Sequence, residues 1–206
     1  MQILKNVLLS SAVMLQSLFL AAQGDGILRT AFRDSYTQEY AKNYADAIAA
    51  LNKVYTESSY EMNLRMGWLH YNNKNYTVSE SYYSKAVNLK PDAVEAKMGL
   101  IMPLVFLESW DKVLKQYEDI LKMDPLNSTA NYWAGTIYYN RKKYEMASKY
   151  FEKVVKLYPF AYDANHMLGW SYLNLGKLQE AKALFTKVLL ISPDDSSAQQ
   201  GLGKIK

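Results

Sequence analysis

His70 and His166 are the only histidines in this 206-residue chain, so they are its only imidazoles for proton transfer or metal ligation. They lie 96 residues apart, and neither is followed three or four residues on by a carboxylate or a second histidine. That spacing is what would place two ligands on one helix face. No metal site is expected, and His70 reads as a packed core histidine. The absence of cysteine removes disulfides, thiolate metal sites, a thiol nucleophile and a lipid-modified N-terminal cysteine. "GLGK" at 201–204 has the look of a phosphate loop. It lacks the preceding strand and the longer glycine spacing, and Ile205 stands where a serine or threonine belongs. No nucleophile elbow, dinucleotide glycine loop or Ser-x-x-Lys set occurs in a supporting context. The chain is therefore expected to be no enzyme and to use no cofactor.

Half of the residues are apolar or aromatic, and the formal net charge is only +4. Acidic and basic residues alternate without long runs, whereas a nucleic-acid binder gathers positive charge into a patch. No nucleic-acid partner is expected. The first residues, "MQILKNVLLSSAVMLQSLFLAAQ", have one positive charge, an apolar middle and a small-residue exit, the layout of a secretory signal. The apolar stretch from Val7 to Leu20 is shorter than the roughly 20 residues that span a bilayer. Residues 1–22 are therefore expected to be a cleaved signal peptide, with no membrane insertion afterwards. Export to a bacterial periplasm follows, the alternative being an inner-membrane anchor formed by residues 1–22. In that compartment the sequons at 75–77 and 127–129 are incidental.

The elements come from the prolines. Pro91, Pro125, Pro159 and Pro193 recur every 34 residues, each after an apolar helical stretch such as "VVKLYP". Proline lacks an amide hydrogen and biases the residue before it away from helical geometry, so each one ends a helix. A fixed period of this length is the mark of stacked helix pairs. With the prolines in register, Gly67, Gly135 and Gly169 share one column and Ser79, Ala147 and Ala181 another. Tyr83, Tyr117, Phe151 and Phe185 form a third.

This pattern resembles the tetratricopeptide repeat family, which has small residues at positions 8, 20 and 27 and aromatics at 11 and 24. Two stretches, "SYEMNLRMGWLHY" and "YYNRKKYEMASKYFEKVVKLYPF", are similar to exported bacterial members of unestablished role. The resemblance implies an all-α, right-handed superhelix (an α-solenoid) of about five helix-turn-helix repeats and a C-terminal capping helix. The repeats fall at about 28–59, 60–93, 94–127, 128–161 and 162–195, with the cap at 196–206, in a domain over 23–206. Asp195 or Ser196 is expected to cap that last helix. In the repeats, positions 8 and 20 of paired helices should meet closely, with Tyr172 and Phe185 beside them. The third repeat departs from the pattern, with Ile101 at position 8, Val113 at position 20 and Pro103 inside its first helix. A local break or kink is predicted at Pro103. Asn63, Asn131 and Asn165 share position 4, where they form a hydrogen-bonded row or are simply solvated.

The family lines its concave groove with positions 2, 5, 9, 12 and 13 of each first helix. Carried onto this chain, the second repeat supplies Leu64, Trp68, Tyr71 and Asn72, and the third supplies Met98, Met102, Val105 and Phe106. The fourth supplies Tyr132, Thr136, Tyr139 and Asn140, and the fifth His166, Trp170, Leu173 and Asn174. Position 2 holds Glu61, Glu95, Thr129 and Asp163. An exposed stripe of aromatic and methionine side chains marks an interaction site. The resemblance thus implies a non-catalytic scaffold that holds a peptide segment of an envelope protein, its protein partner. The alternative is a periplasmic glycan or peptidoglycan-fragment binder, with aromatic rings stacking on sugars and asparagines bonding hydroxyls.

Overall fold

The computed structural model describes residues 24–205, and the expected signal over 1–22 lies outside the described residues. Among the described residues there are eleven helices and no strand. Helix α1 spans 24–40, followed by α2 (Tyr44–Asn52), α3 (Tyr60–Asn72), α4 (Tyr76–Leu89), α5 (Val94–Phe106) and α6 (Trp110–Met123). Then come α7 (Ser128–Asn140), α8 (Tyr144–Leu157), α9 (Tyr162–Asn174), α10 (Leu178–Ile191) and α11 (Ser196–Gly203). This is the all-α, paired-helix architecture the repeat requires. The chain forms two compact units, one ending at Pro103 and one beginning at Leu104.

Local chemistry sets the helix ends. Ser59, Asn127 and Asp195 accept hydrogen bonds from the backbone N–H groups of Met62, Ala130 and Ala198, capping α3, α7 and α11. The prolines at 91, 125, 159 and 193 each stand two residues past the end of a second helix. Within each pair, the turn needs one residue with a left-handed backbone. Gly176 supplies it at φ +73°, but Lys42, Lys74, Glu108 and Lys142 do so with side chains in place, at φ 52° to 62°. Such a conformation costs a non-glycine residue roughly 1 kcal/mol.

The asparagines of position 4 are not solvated. Asn63, Asn131 and Asn165 are fully buried, and each amide nitrogen donates to two carbonyls of the turn leading into its own helix. For Asn165 these are Pro159 O at 3.1 Å and Ala161 O at 2.7 Å. They are separate clasps on successive turns, not a row bonded to one another. The third repeat has Lys97 at this place, and it is buried too.

The glycines of position 8 make room for rings. A Cβ on Gly67 would lie 2.8 Å from the Tyr83 ring, and one on Gly135 or Gly169 equally close to Phe151 or Phe185. The close approach expected between positions 8 and 20 is also present, since Ser79 Oγ donates to Gly67 O at 2.7 Å. Phe151 and Phe185 are fully buried, and each such burial stabilises by roughly 1.5–3 kcal/mol.

The expected break at Pro103 does not occur. Helix α5 is helical without interruption from Val94 to Phe106. Pro103 is buried, and only three helical residues follow it, so packing outweighs the loss of one hydrogen bond near a helix end. It marks instead the last residue of the first unit.

Candidate binding face

In the first unit, the candidate residues sit on α3 and α5. Leu64, Tyr71, Asn72, Met98 and Met102 are half-buried, and Trp68 is exposed. Leu64 packs on the cluster of Tyr60, Ala86 and Ala96. The Trp68 indole stacks on Tyr71, with ring centres 6.3 Å apart. Its N–H donates to Glu39 of α1, which also forms an ion pair with Arg65. Arg65 is buried to 8 % exposure, and the Tyr36 ring lies 3.8 Å from its guanidinium carbon.

Three residues of this face were missed from the sequence, namely Tyr36, Glu39 and Tyr40. They hold positions 9, 12 and 13 of the first repeat if it is counted from 28. The first repeat is shorter than 34 residues, so the register set by the prolines does not extend back to it. Counting from the turn residue Lys42, which matches Lys74 in the second repeat, would have found them. Tyr40 is 86 % exposed, the most open large hydrophobic side chain among the described residues.

In the second unit, Val105 and Phe106 are exposed near the start. Tyr132, Thr136 and Tyr139 of α7 are half-buried, as are His166, Trp170 and Leu173 of α9, while Asn140 and Asn174 are exposed. Tyr132 and Tyr139 rest one edge on the cluster of Phe151, Leu168 and Leu184. Burial raises the hydroxyl pKa of both above the usual tyrosine value. Trp170 stands edge-on to Phe185, 5.3 Å between centres. No candidate residue in either unit is fully buried.

Trp170 has a second set of neighbours. Its N–H donates to Ser197 Oγ of α11 at 3.0 Å and to His166 Nε2 at 3.3 Å, and the Lys204 ammonium lies 5.0 Å from its ring. Leu202 and Ile205 pack, as Trp170 does, on the cluster of Ala181, Phe185, Val188 and Ala198. The capping helix therefore occupies this end of the expected face. Ser197 Oγ is 2.8 Å from His166 Nε2, the separation of a nucleophile and its base. The indole N–H points at both atoms, and the Ala198 N–H at the start of α11 is taken by Asp195. Burial holds His166 below its usual pKa, against the opposing pull of Asp195 and Asp163. His166 is thus a neutral acceptor that ties α11 to α9. His70 is half-buried, stacked on Tyr82 at 5.2 Å, with its pKa lowered by burial. No group of three metal-ligating side chains occurs among the described residues.

Family models described as tetratricopeptide repeat match residues 60–93, 128–161 and 162–195. The chain is a tetratricopeptide-repeat protein. Solved structures with the same fold include a tetratricopeptide repeat protein from Parabacteroides merdae ATCC 43184, at 17 % identity and TM-score 0.73, covering 87 % of this chain and 72 % of that one. The MamA protein aligns at 18 % identity and TM-score 0.70, covering 82 % and 94 %. MamA of AMB-1 aligns at 17 % identity and TM-score 0.70, covering 85 % and 95 %. Comparison with curated proteins by sequence finds no match. The tetratricopeptide repeat is a scaffold for protein–protein interaction, and no helix among the described residues is long and apolar enough to cross a membrane.

Proposed function

We propose that this tetratricopeptide-repeat protein is exported to the bacterial envelope and binds a peptide segment of another envelope protein on the inner faces of its first helices. Catalysis is no part of this role. The observation that supports it is the half-open state of the face. Large apolar and aromatic side chains at positions 5, 9, 12 and 13 each rest one edge on the core and turn the other to solvent. Rings held in this way bind with little loss of side-chain freedom. In the first unit, Trp68 and Tyr71 stack on one another, Tyr36 lies against Arg65, and the Glu39–Arg65 pair holds the Trp68 indole in place.

The glycan reading has less support. It needs free amides beside the rings, yet Asn72 donates to Trp68 O at 2.9 Å and Asn174 to Trp170 O at 2.7 Å. One N–H of each amide is thus turned back onto its own helix. The test is Trp68→Ala with Tyr71→Ala. A double variant that stays folded at the assay temperature by circular dichroism, with loss of the envelope protein that crosslinks to the wild type, supports the reading. Retention of the crosslink by the double variant contradicts it.

A further inference from the structure

The surface of the fifth repeat beneath α11 is shaped to take a helix. Phe185 lies between Gly169 and Gly201, and a Cβ on Gly201 would come within 2.5 Å of the ring. Ala198, three residues earlier, is fully buried on the same side of α11. Helix α5 makes a related contact in the first unit, where Gly99 brings its backbone onto the Tyr83 ring and Ala96 packs with Tyr60 and Ala86. In two separate places a helix with a buried Ala-x-x-Gly face is thus seated with its Gly on the position-24 ring.

The two helices differ in what holds them. Helix α5 has 13 residues and also buries Leu100 and Ile101. Helix α11 has 8 residues and fully buries only Ala198 and Gly201, while Leu202 and the following Ile205 pack half-buried at its edge. A helix so short has little stability of its own, and buried apolar area is what normally keeps one in place. Its other ties are polar, where Tyr162 donates to the capping Asp195, Ser197 meets His166 and Trp170, and Lys204 covers the Trp170 ring.

We infer that the fifth repeat carries a helix-docking site which α11 fills only loosely, and that a partner helix with an Ala-x-x-Gly face displaces α11 and takes its place against Phe185, His166 and Trp170. The site shares Trp170 and His166 with the proposed peptide face but does not depend on what the other repeats bind. The occupant is defined by α11 itself: a capping Asp, a Ser two residues on, and Ala and Gly three residues apart at the buried face. Such a helix, made longer or freed of Gly203, binds better than the chain's own.

The experiment uses the full chain and a fluorescent peptide of residues 193–206, PDDSSAQQGLGKIK, followed by anisotropy. Gly201→Ala in the chain forces a methyl into the Phe185 ring and unseats α11, so the peptide should bind at least about tenfold tighter than to wild type. Gly203→Ala in the chain has open space around it and firms α11, so binding should weaken about two- to fivefold. A peptide carrying Gly201→Ala should not bind either chain. Hydrogen exchange on the wild type should show α11 amides opening well before those of α9 and α10. A dimer that the peptide dissociates identifies the partner helix as a second copy's α11 and supports the site. No binding to the Gly201→Ala chain, or α11 amides exchanging only with global unfolding, overturns the inference.

Discussion

Trp68 and Trp170 hold the same position in the second and fifth repeats, yet they live in different surroundings. Trp68 is exposed, its indole N–H bound by Glu39 and its ring laid on Tyr71. Trp170 is half-buried, edge-on to Phe185 and covered by Ser197 and Lys204 of the capping helix. A repeat position fixes which way a side chain points along its own helix. What covers it depends on the neighbouring element, so equal positions need not be equal sites.

The largest effect should come from the ring beneath Trp170. Phe185→Ala removes a fully buried side chain and should cost about 3–5 kcal/mol in urea unfolding. Next, Trp170→Ala should cost about 2–3 kcal/mol against about 1–2 kcal/mol for Trp68→Ala, because Trp170 stands against the fully buried Phe185. Equal losses for the two tryptophans would break the comparison.

Acid should separate the two sites as well. The Tyr162 hydroxyl and the Ala198 N–H hold the Asp195 carboxyl below its usual pKa. A lowered folded-state pKa means the stabilisation is present above the ordinary carboxylate value and is lost as pH falls through the folded one. Below about pH 4 the cap on α11 should therefore weaken. In a chain that keeps only Trp170, the fluorescence should move toward that of exposed indole over this range. Asp195→Asn should flatten the change at Trp170 and leave the response of a chain that keeps only Trp68 as it is.

The smallest effect belongs to the turns. Lys74→Gly and Lys142→Gly relieve a left-handed backbone in one unit each, so each should raise stability by about 0.5–1 kcal/mol. Gly176→Ala should lower it by a similar amount, read as shifts in melting temperature.

Much of this was legible in the prolines. Their 34-residue spacing fixes the helix pairs, and the glycine and aromatic columns fix which rings lie in the core. The position-4 asparagines show where that reading stops. Periodicity places them at the start of a helix, but only the path of the preceding turn reveals that its carbonyls converge on their amides. Tyr36, Glu39 and Tyr40 were hidden by the short first repeat. The cover over Trp170 was hidden for another reason: "SSAQQGLG" reads as a polar cap, and nothing in its composition says that Ser197 reaches Trp170.

The central claim is that the inner faces bind a peptide segment, and a photo-crosslinking amino acid placed at 68 tests it most directly. Controls go at 90 and 160, on exposed residues outside the candidate face. In the intact envelope the account predicts one protein adduct from position 68, mapped to a single short segment, and none shared with the control positions. Adducts of equal yield and identity from 68, 90 and 160, or none at 68, would contradict it.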